Sequence, residues 1–148
     1  MPESSRMSDP SGLIDLDTTF LPIGRMRQIT RVTLVEGATI EGEIEMGPDH
    51  WVYPQHFPGD PVFPGTLMIE GAGQLLALWA WAQGARGYPR LARTRAEFHN
   101  PVGPGVPRLQ VRADVQRKRH LFFGSVQVLS ADTLVATIEA VLVVLTSR

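Results

Sequence analysis

The hydrophobic and polar positions of the chain fall into three regimes. Between residues 28 and 46 the stretches QITRVTLVEG and ATIEGEIEM alternate, with Glu41, Glu43 and Glu45 on one side and Gly42 and Ile44 on the other. A period of two is the signature of a half-buried strand. A short turn at Glu36 and Gly37 would join the two as a hairpin. From Thr66 to Gln83 the pattern becomes a nearly unbroken apolar run, TLMIEGAGQLLALWAWAQ. It is too long for one strand, and Gly84, Gly87 and Pro89 supply stop signals. It predicts a helix, apolar on almost every side and so buried. Gly71 and Gly73 cost such a helix roughly 1 kcal/mol each relative to alanine, which points to close approach by a strand, a partner helix or a ligand. The remainder is rich in β-formers: LARTRAEFHN, LQVRADVQRK, LFFGSVQVLS and LVATIEAVLVVLT, separated by turn signals. Two Pro/Gly-rich segments, PQHFPGDPVFPG (54–65) and NPVGPGVP (100–107), read as loops, because proline removes a backbone donor and restricts φ.

A hairpin, one buried helix and an antiparallel run make an α+β architecture, with a single long helix packed on a curved antiparallel sheet. An alternating α/β layout would need more than one strong helix. No repeat or linker divides the chain. Residues 1–12 read as a flexible leader and 13–148 as a single domain. At 148 residues, 43% hydrophobic and 20% charged, the chain is globular in composition and long enough for a sizeable core. Its longest apolar run, Leu75 to Ala82, falls far short of the roughly 20 residues of a membrane helix. The leader lacks the basic-then-apolar layout of a secretory signal. There is no cysteine, which excludes disulfides, thiolate nucleophiles and cysteine metal sites, and fits a reducing cytoplasm.

Net charge is −1, but acidic residues dominate up to Gln74 and basic ones beyond it. Arg86, Arg90, Arg93, Arg95, Arg117, Lys118 and Arg119 either meet an acidic partner or form a solvated face. They lack interleaved aromatic residues, and no nucleic-acid motif is present.

Before its last residue, Gln83, the helix contains three clearly polar residues, Thr66, Glu70 and Gln74, spaced four apart and so aligned along one side. Glu70 is a carboxylate on a helix expected to be buried. Enclosure without a partner would raise its pKa and suit it to general-acid work, whereas pairing with an arginine would make it structural. His56 stands in the Pro/Gly loop that feeds the helix. A lone loop histidine is usually only that, but histidine is also the commonest general base. Gly65 marks the helix N-terminus, where unsatisfied N–H groups and the dipole favour a developing oxyanion. Each feature alone is weak; a base, an acid and an oxyanion donor on one loop–helix unit are a stronger case. His50, His99 and His120 show no ligand-type spacing and read as surface or loop residues. Trp79 and Trp81 read as core or interface residues. No GxSxG segment supports a serine hydrolase.

On these residues, WVYPQHFPGDPVFPGTLMIEGAGQ (51–74) resembles the active-site signature of the bacterial β-hydroxyacyl-acyl-carrier-protein dehydratases. HFPGDPVFPG carries most of the likeness, with an acid fourteen residues after the histidine. Glu70 matches the dehydratase-only branch, whereas WVYPQHF and GDPV are closer to the dehydratase/isomerase branch and to related domains of polyunsaturated fatty acid synthases. FLPIGRMRQITRV and AEFHNPVGPGVPRLQV are similar to the family's flanking segments, so the likeness spans roughly residues 20–145.

The resemblance implies a hot-dog fold and a homodimer, a higher homo-oligomer or a heterodimer, with each active site at the subunit interface. His56 of one chain would remove the C2 proton of a 3-hydroxyacyl thioester, and Glu70 of the other would protonate the leaving hydroxyl. The Gly65 N–H would bind the thioester oxygen, Gln74 would orient the acid or a water, and Phe63 and Pro64 fall among the substrate-binding positions. The acyl chain would be carried on the phosphopantetheine of an acyl carrier protein, and no metal or redox cofactor is implied. Gly71-Ala72-Gly73 departs from the family's Ala-Met-Ala type of run, which bears on tunnel width. Gly24-Arg25-Met26 and Thr30 depart from its His-Arg-Tyr and aspartate. Alternatives on the same residues are a 2-enoyl thioester isomerase, a hot-dog thioesterase and a non-catalytic partner subunit.

Overall fold

The structure, a computed structural model, describes Ile14 and residues 16–146. The leader expected over 1–12 lies outside the described residues. Six strands, β1 (Arg31–Glu36), β2 (Thr39–Glu45), β3 (Tyr88–Phe98), β4 (Arg108–Lys118), β5 (Leu121–Ser130) and β6 (Thr133–Leu145), surround one helix, α1 (Gly65–Ala82). All neighbours pair antiparallel in the order β1-β2-β4-β5-β6-β3. The helix is inserted between β2 and β3 in sequence and lies against β2 through β6.

Alternation decides which face the helix covers. In β4, Leu109, Val111, Ala113 and Val115 are buried, while Arg108, Gln110, Arg112 and Asp114 are exposed. The buried set joins Phe122, Val126 and Val128 of β5 and Ile138, Ala140 and Leu142 of β6 beneath α1. Leu75, Leu76, Ala77, Leu78 and Ala80 of the helix complete that core. Gly124 in β5 is a seat for Leu76: a side chain there would overlap the leucine. Gly71 does the same for the Ile44 side chain of β2, at 2.8 Å from a hypothetical Cβ, so the expected close approach at this glycine is a strand.

The elements agree with the periodicity, with shifts at their ends. The helix starts at Gly65 and ends at Ala82, one residue earlier than expected at each end. β3 begins at Tyr88 rather than Leu91, because Tyr88 and Pro89 pair with Leu145 and Val144. The β1–β2 turn is made by Gly37 and Ala38, not Glu36 and Gly37; Gly37 takes φ +58°, a conformation glycine adopts without steric cost.

The edge strand β3 differs from the others. Its eleven residues are mostly exposed, and one of its edges bonds to no strand among the described residues. A bulge between Leu91 and Arg93 sets Leu91 beside the helix and Arg93 on the outer face. The charge asymmetry of the sequence is partly offset in three dimensions: Glu41 pairs with Arg112 at 2.6 Å and Asp17 with Arg86 at 2.6 Å across the two halves, while Arg31 pairs with Glu43 and Glu45 at 2.8 Å each within the first. Among the described residues no carboxylate forms a salt bridge with Arg90, Arg93, Arg95 or Arg119. Among the described residues no helix is long and apolar enough to cross a membrane.

Candidate active site

His56 sits in a loop closed on itself by backbone bonds. Phe57 and Asp60 exchange N–H···O bonds of 2.8 Å, Val62 N–H donates to His56 O at 2.8 Å, and His56 N–H donates to Val52 O at 2.8 Å. Phe63 N–H then donates to Val102 O at 2.8 Å, tying the loop to the second Pro/Gly segment. The imidazole is half-buried and stacks on Phe57, with centroids 4.0 Å apart. Its Nδ1 lies 2.9 Å from the Val62 carbonyl. A carbonyl oxygen only accepts, so Nδ1 carries the hydrogen and Nε2 of the neutral ring is left with its lone pair. That is the tautomer a general base requires.

The predicted polar line on α1 runs from solvent into the core: Thr66 is exposed, Glu70 half-buried and Gln74 buried. Glu70 is therefore not the enclosed carboxylate expected from the apolar sequence around it, because it faces a cavity instead of packed side chains. Gln74 uses its whole hydrogen-bonding capacity. Its Oε1 accepts from the Gln28 and Ile29 N–H groups at 2.8 and 3.1 Å. Its Nε2 donates to Met26 O at 2.7 Å and to Glu70 Oε2 at 2.9 Å. Backbone N–H groups can only donate and a carbonyl can only accept, so this set admits one orientation of the amide. Glu70 Oε2 must accept, and a proton carried by this carboxyl resides on Oε1.

The cavity beside Glu70 has a volume of about 370 Å³. Ile69, Gly73 and Ala77 line it from the helix, and Leu91 and Leu142 from the sheet. Phe20 and Tyr88 also line it, edge to face with centroids 5.3 Å apart. Gly73 thus makes room in the cavity rather than admitting a strand: a Cβ there would meet only Leu91, at 3.8 Å. A larger concavity, about 650 Å³, lies on the opposite face of the sheet among Arg93, Arg95, Ser125 and Glu139; neither His56 nor Glu70 lines it.

Gly65 opens the helix after the buried Pro64, and its N–H enters none of the hydrogen bonds found. The Phe98 ring lies over it, 2.5 Å from a hypothetical Cβ, so a larger residue would require that half-exposed ring to move. Phe63 is buried with its ring edge-on to His50. His56 does not line the Glu70 cavity, and no hydrogen bond or salt bridge joins the two residues within the chain. Among the described residues no group of three His, Asp or Glu could hold a metal ion.

His50 lies in a loop, as expected, and is a half-buried member of an aromatic cluster with Trp51, Tyr53 and Phe63. Its Nδ1 accepts from Val52 N–H at 3.1 Å, and burial holds its pKa below the ordinary histidine value. Trp79 and Trp81 are core residues whose indoles donate to Gly37 O and Gly87 O. Three positions were not anticipated: Phe98, Gln28 and the Met26 carbonyl. Phe98 was legible in principle, since alternation from Thr94 and Ala96 brings it to the helix side, but a carbonyl acting through a turn leaves no residue pattern.

One long helix lying on a six-stranded antiparallel sheet in this strand order, with its acid on the helix and a histidine loop at its head, defines a hot-dog protein. The chain belongs to the family of FabA-like domains, whose pattern matches residues 21–139. Its fold is similar to that of the dehydratase heterocomplex ApeI:P from Xenorhabdus doucetiae, with a TM-score of 0.69 at 16% identity over 85% of this chain and 88% of the other. It is also similar to a putative thioesterase, a phenylacetic acid degradation-related protein, from Ralstonia eutropha (TM-score 0.60, 16% identity, 76% and 83% covered). A third likeness is to the phenylacetic acid degradation protein PaaI from Thermus thermophilus (TM-score 0.59, 22% identity, 77% and 91% covered).

Proposed function

We propose that the protein is a dehydratase of 3-hydroxyacyl thioesters, forming trans-2-enoyl thioesters in fatty acid or polyketide synthesis in the cytoplasm. One observation supports this reading: the hydrogen bonds distinguish the two reactive atoms. His56 is bonded so that Nε2 can accept, and Gln74 occupies Glu70 Oε2, so that Oε1 is the oxygen open to carry a proton. His56 Nε2 takes the C2 proton, and the C2 electron pair moves through the enolate, whose oxygen meets the Gly65 N–H at the positive end of the helix dipole. The C3–O bond then breaks as Glu70 Oε1 delivers its proton, and water leaves with that oxygen. The C2=C3 bond forms, and the two groups regain their starting states by returning one proton from His56 to Glu70 through solvent.

Because His56 and Glu70 are separate within one chain, the site is composite, His56 facing Glu70 of a second subunit. The free edge of β3, with Leu91 and Phe98 exposed at 41% and 50%, is the surface that a second copy or a related chain would cover. The substrate is carried by an acyl carrier protein, whose acidic surface would find the unpaired Arg90, Arg93 and Arg95.

Mass spectrometry of a 3-hydroxyacyl thioester, on carrier protein or pantetheine, tests the reaction. Loss of one water, reversible from the enoyl side, is expected. Release of a free thiol would instead identify a thioesterase, double-bond migration without loss of water an isomerase, and no change with chains of any length a binding subunit.

A further inference from the structure

Gln28 and Gln74 are the two buried polar side chains among the described residues, 4% and 3% exposed. Burying an amide in an apolar core is unfavourable unless its donors and acceptors are met. Gln74 meets all of its own, and Gln28 has acceptors for its N–H donors. Gln28 Nε2 donates to Arg25 O at 2.9 Å and reaches Met26 O at 3.4 Å. The turn it grips supplies three of the four contacts of Gln74: Met26 O, Gln28 N–H and Ile29 N–H. The fourth is the Glu70 carboxylate.

The grip matters because the turn is otherwise poorly held. Ile23 and Met26 are 86% and 51% exposed. Its own bonds are Arg27 N–H to Gly24 O and Arg27 Nε to Ile29 O, both 3.1 Å. The first buried side chain after this exposed stretch is Gln28, and it reaches back into the carbonyls of the turn from the inside. Without those N–H donors the Met26 carbonyl is free to drift, Gln74 Nε2 loses one of two acceptors, and the amide that holds Glu70 Oε2 can rotate.

We propose that Gln28 is a positioning residue for Glu70, acting through the Met26 carbonyl and Gln74. Its importance for turnover rests on the dehydratase reading; its effect on Gln74 does not. The test substitutes Gln28→Met, which keeps the length and volume of the side chain and removes its donors. The readout independent of substrate is exchange of the Gln74 side-chain N–H protons, followed by NMR on glutamine-labelled protein. Exchange at least about tenfold faster than in wild type is expected. In turnover, kcat should fall about tenfold with KM unchanged, and Gln28→Met with Gln74→Ala should be no slower than Gln74→Ala alone. A residue that merely stabilises the fold would lower Tm and leave both kcat and the exchange of the Gln74 side-chain protons in place. Unchanged Gln74 exchange in folded Gln28→Met overturns the proposal. Should that variant fail to fold, Gln28→Asn, too short to reach Arg25 O, takes its place with the same two outcomes. Faster exchange in a wild-type background that dehydrates nothing would overturn the dehydratase reading and leave the positioning of Glu70 standing.

Discussion

At the scale of single residues, the site is governed by which atoms can only donate and which can only accept. A carbonyl against Nδ1 sets the tautomer of His56, and backbone groups on both sides of Gln74 set the direction of its amide. The sequence singles out His56, Glu70, Gly65 and Gln74 as candidates, because a proline-framed histidine and a lone carboxylate on an apolar helix are unusual combinations. Their hydrogen-bond senses were not legible there, since they depend on backbone atoms far away along the chain. The same limit explains His50, whose place in an aromatic cluster no local spacing announces. Its depressed pKa has a consequence for stability. Between the folded value and the unfolded value of about 6.5, the unfolded state binds more protons. Stability from this residue is therefore complete above that unfolded value and is lost as pH falls through the folded one. His50→Asn retains an acceptor for Val52 N–H and does not titrate. Thermal unfolding of both proteins between pH 7.5 and 5 should show the wild type losing more Tm than His50→Asn; parallel loss would contradict the assignment.

At the scale of elements, the length of the apolar run located the helix, and alternation, β-forming residues and turn signals located all six strands. β5 was bounded as found, whereas β3 was recognised but not its role. An edge strand exposed on both sides carries little burial pattern, and its bulge between Leu91 and Arg93 is invisible without a partner strand. The helix shows the complementary case. Gly71 and Gly73 look equivalent in sequence, yet one admits Ile44 and the other opens a cavity, since they point to different sides of α1. Gly73→Val should thus leave the fold intact, because the added Cβ meets only Leu91 at ordinary contact distance. It should also shorten the chains accepted: kcat/KM for a 3-hydroxydecanoyl thioester is expected to fall at least about tenfold relative to 3-hydroxybutyryl. An unchanged ratio would place the acyl chain elsewhere than in the Glu70 cavity.

At the scale of the whole molecule, one chain holds both groups without a hydrogen bond or salt bridge between them. The long free edge of β3 and the exposed Leu91 and Phe98 beside it are costly to leave uncovered, and on the proposed reading a two-fold partner along that edge would cover both at once. Each dimer would then contain two sites, each built from His56 of one protomer and Glu70 of its partner. His56→Ala alone and Glu70→Gln alone should each reduce turnover by about 100-fold or more without altering Tm, because each removes a proton-transfer group from both sites. The most direct measurement uses the two variants together. Carrying different affinity tags, they are co-expressed and purified as mixed dimers, and dehydration of a 3-hydroxyacyl thioester is measured. Across the two-fold, one site of such a dimer carries both substitutions and the other carries neither, so about half the wild-type rate per dimer should return. Mixed dimers as inactive as either parent, in a protein whose wild type dehydrates the substrate, would contradict a site shared between subunits.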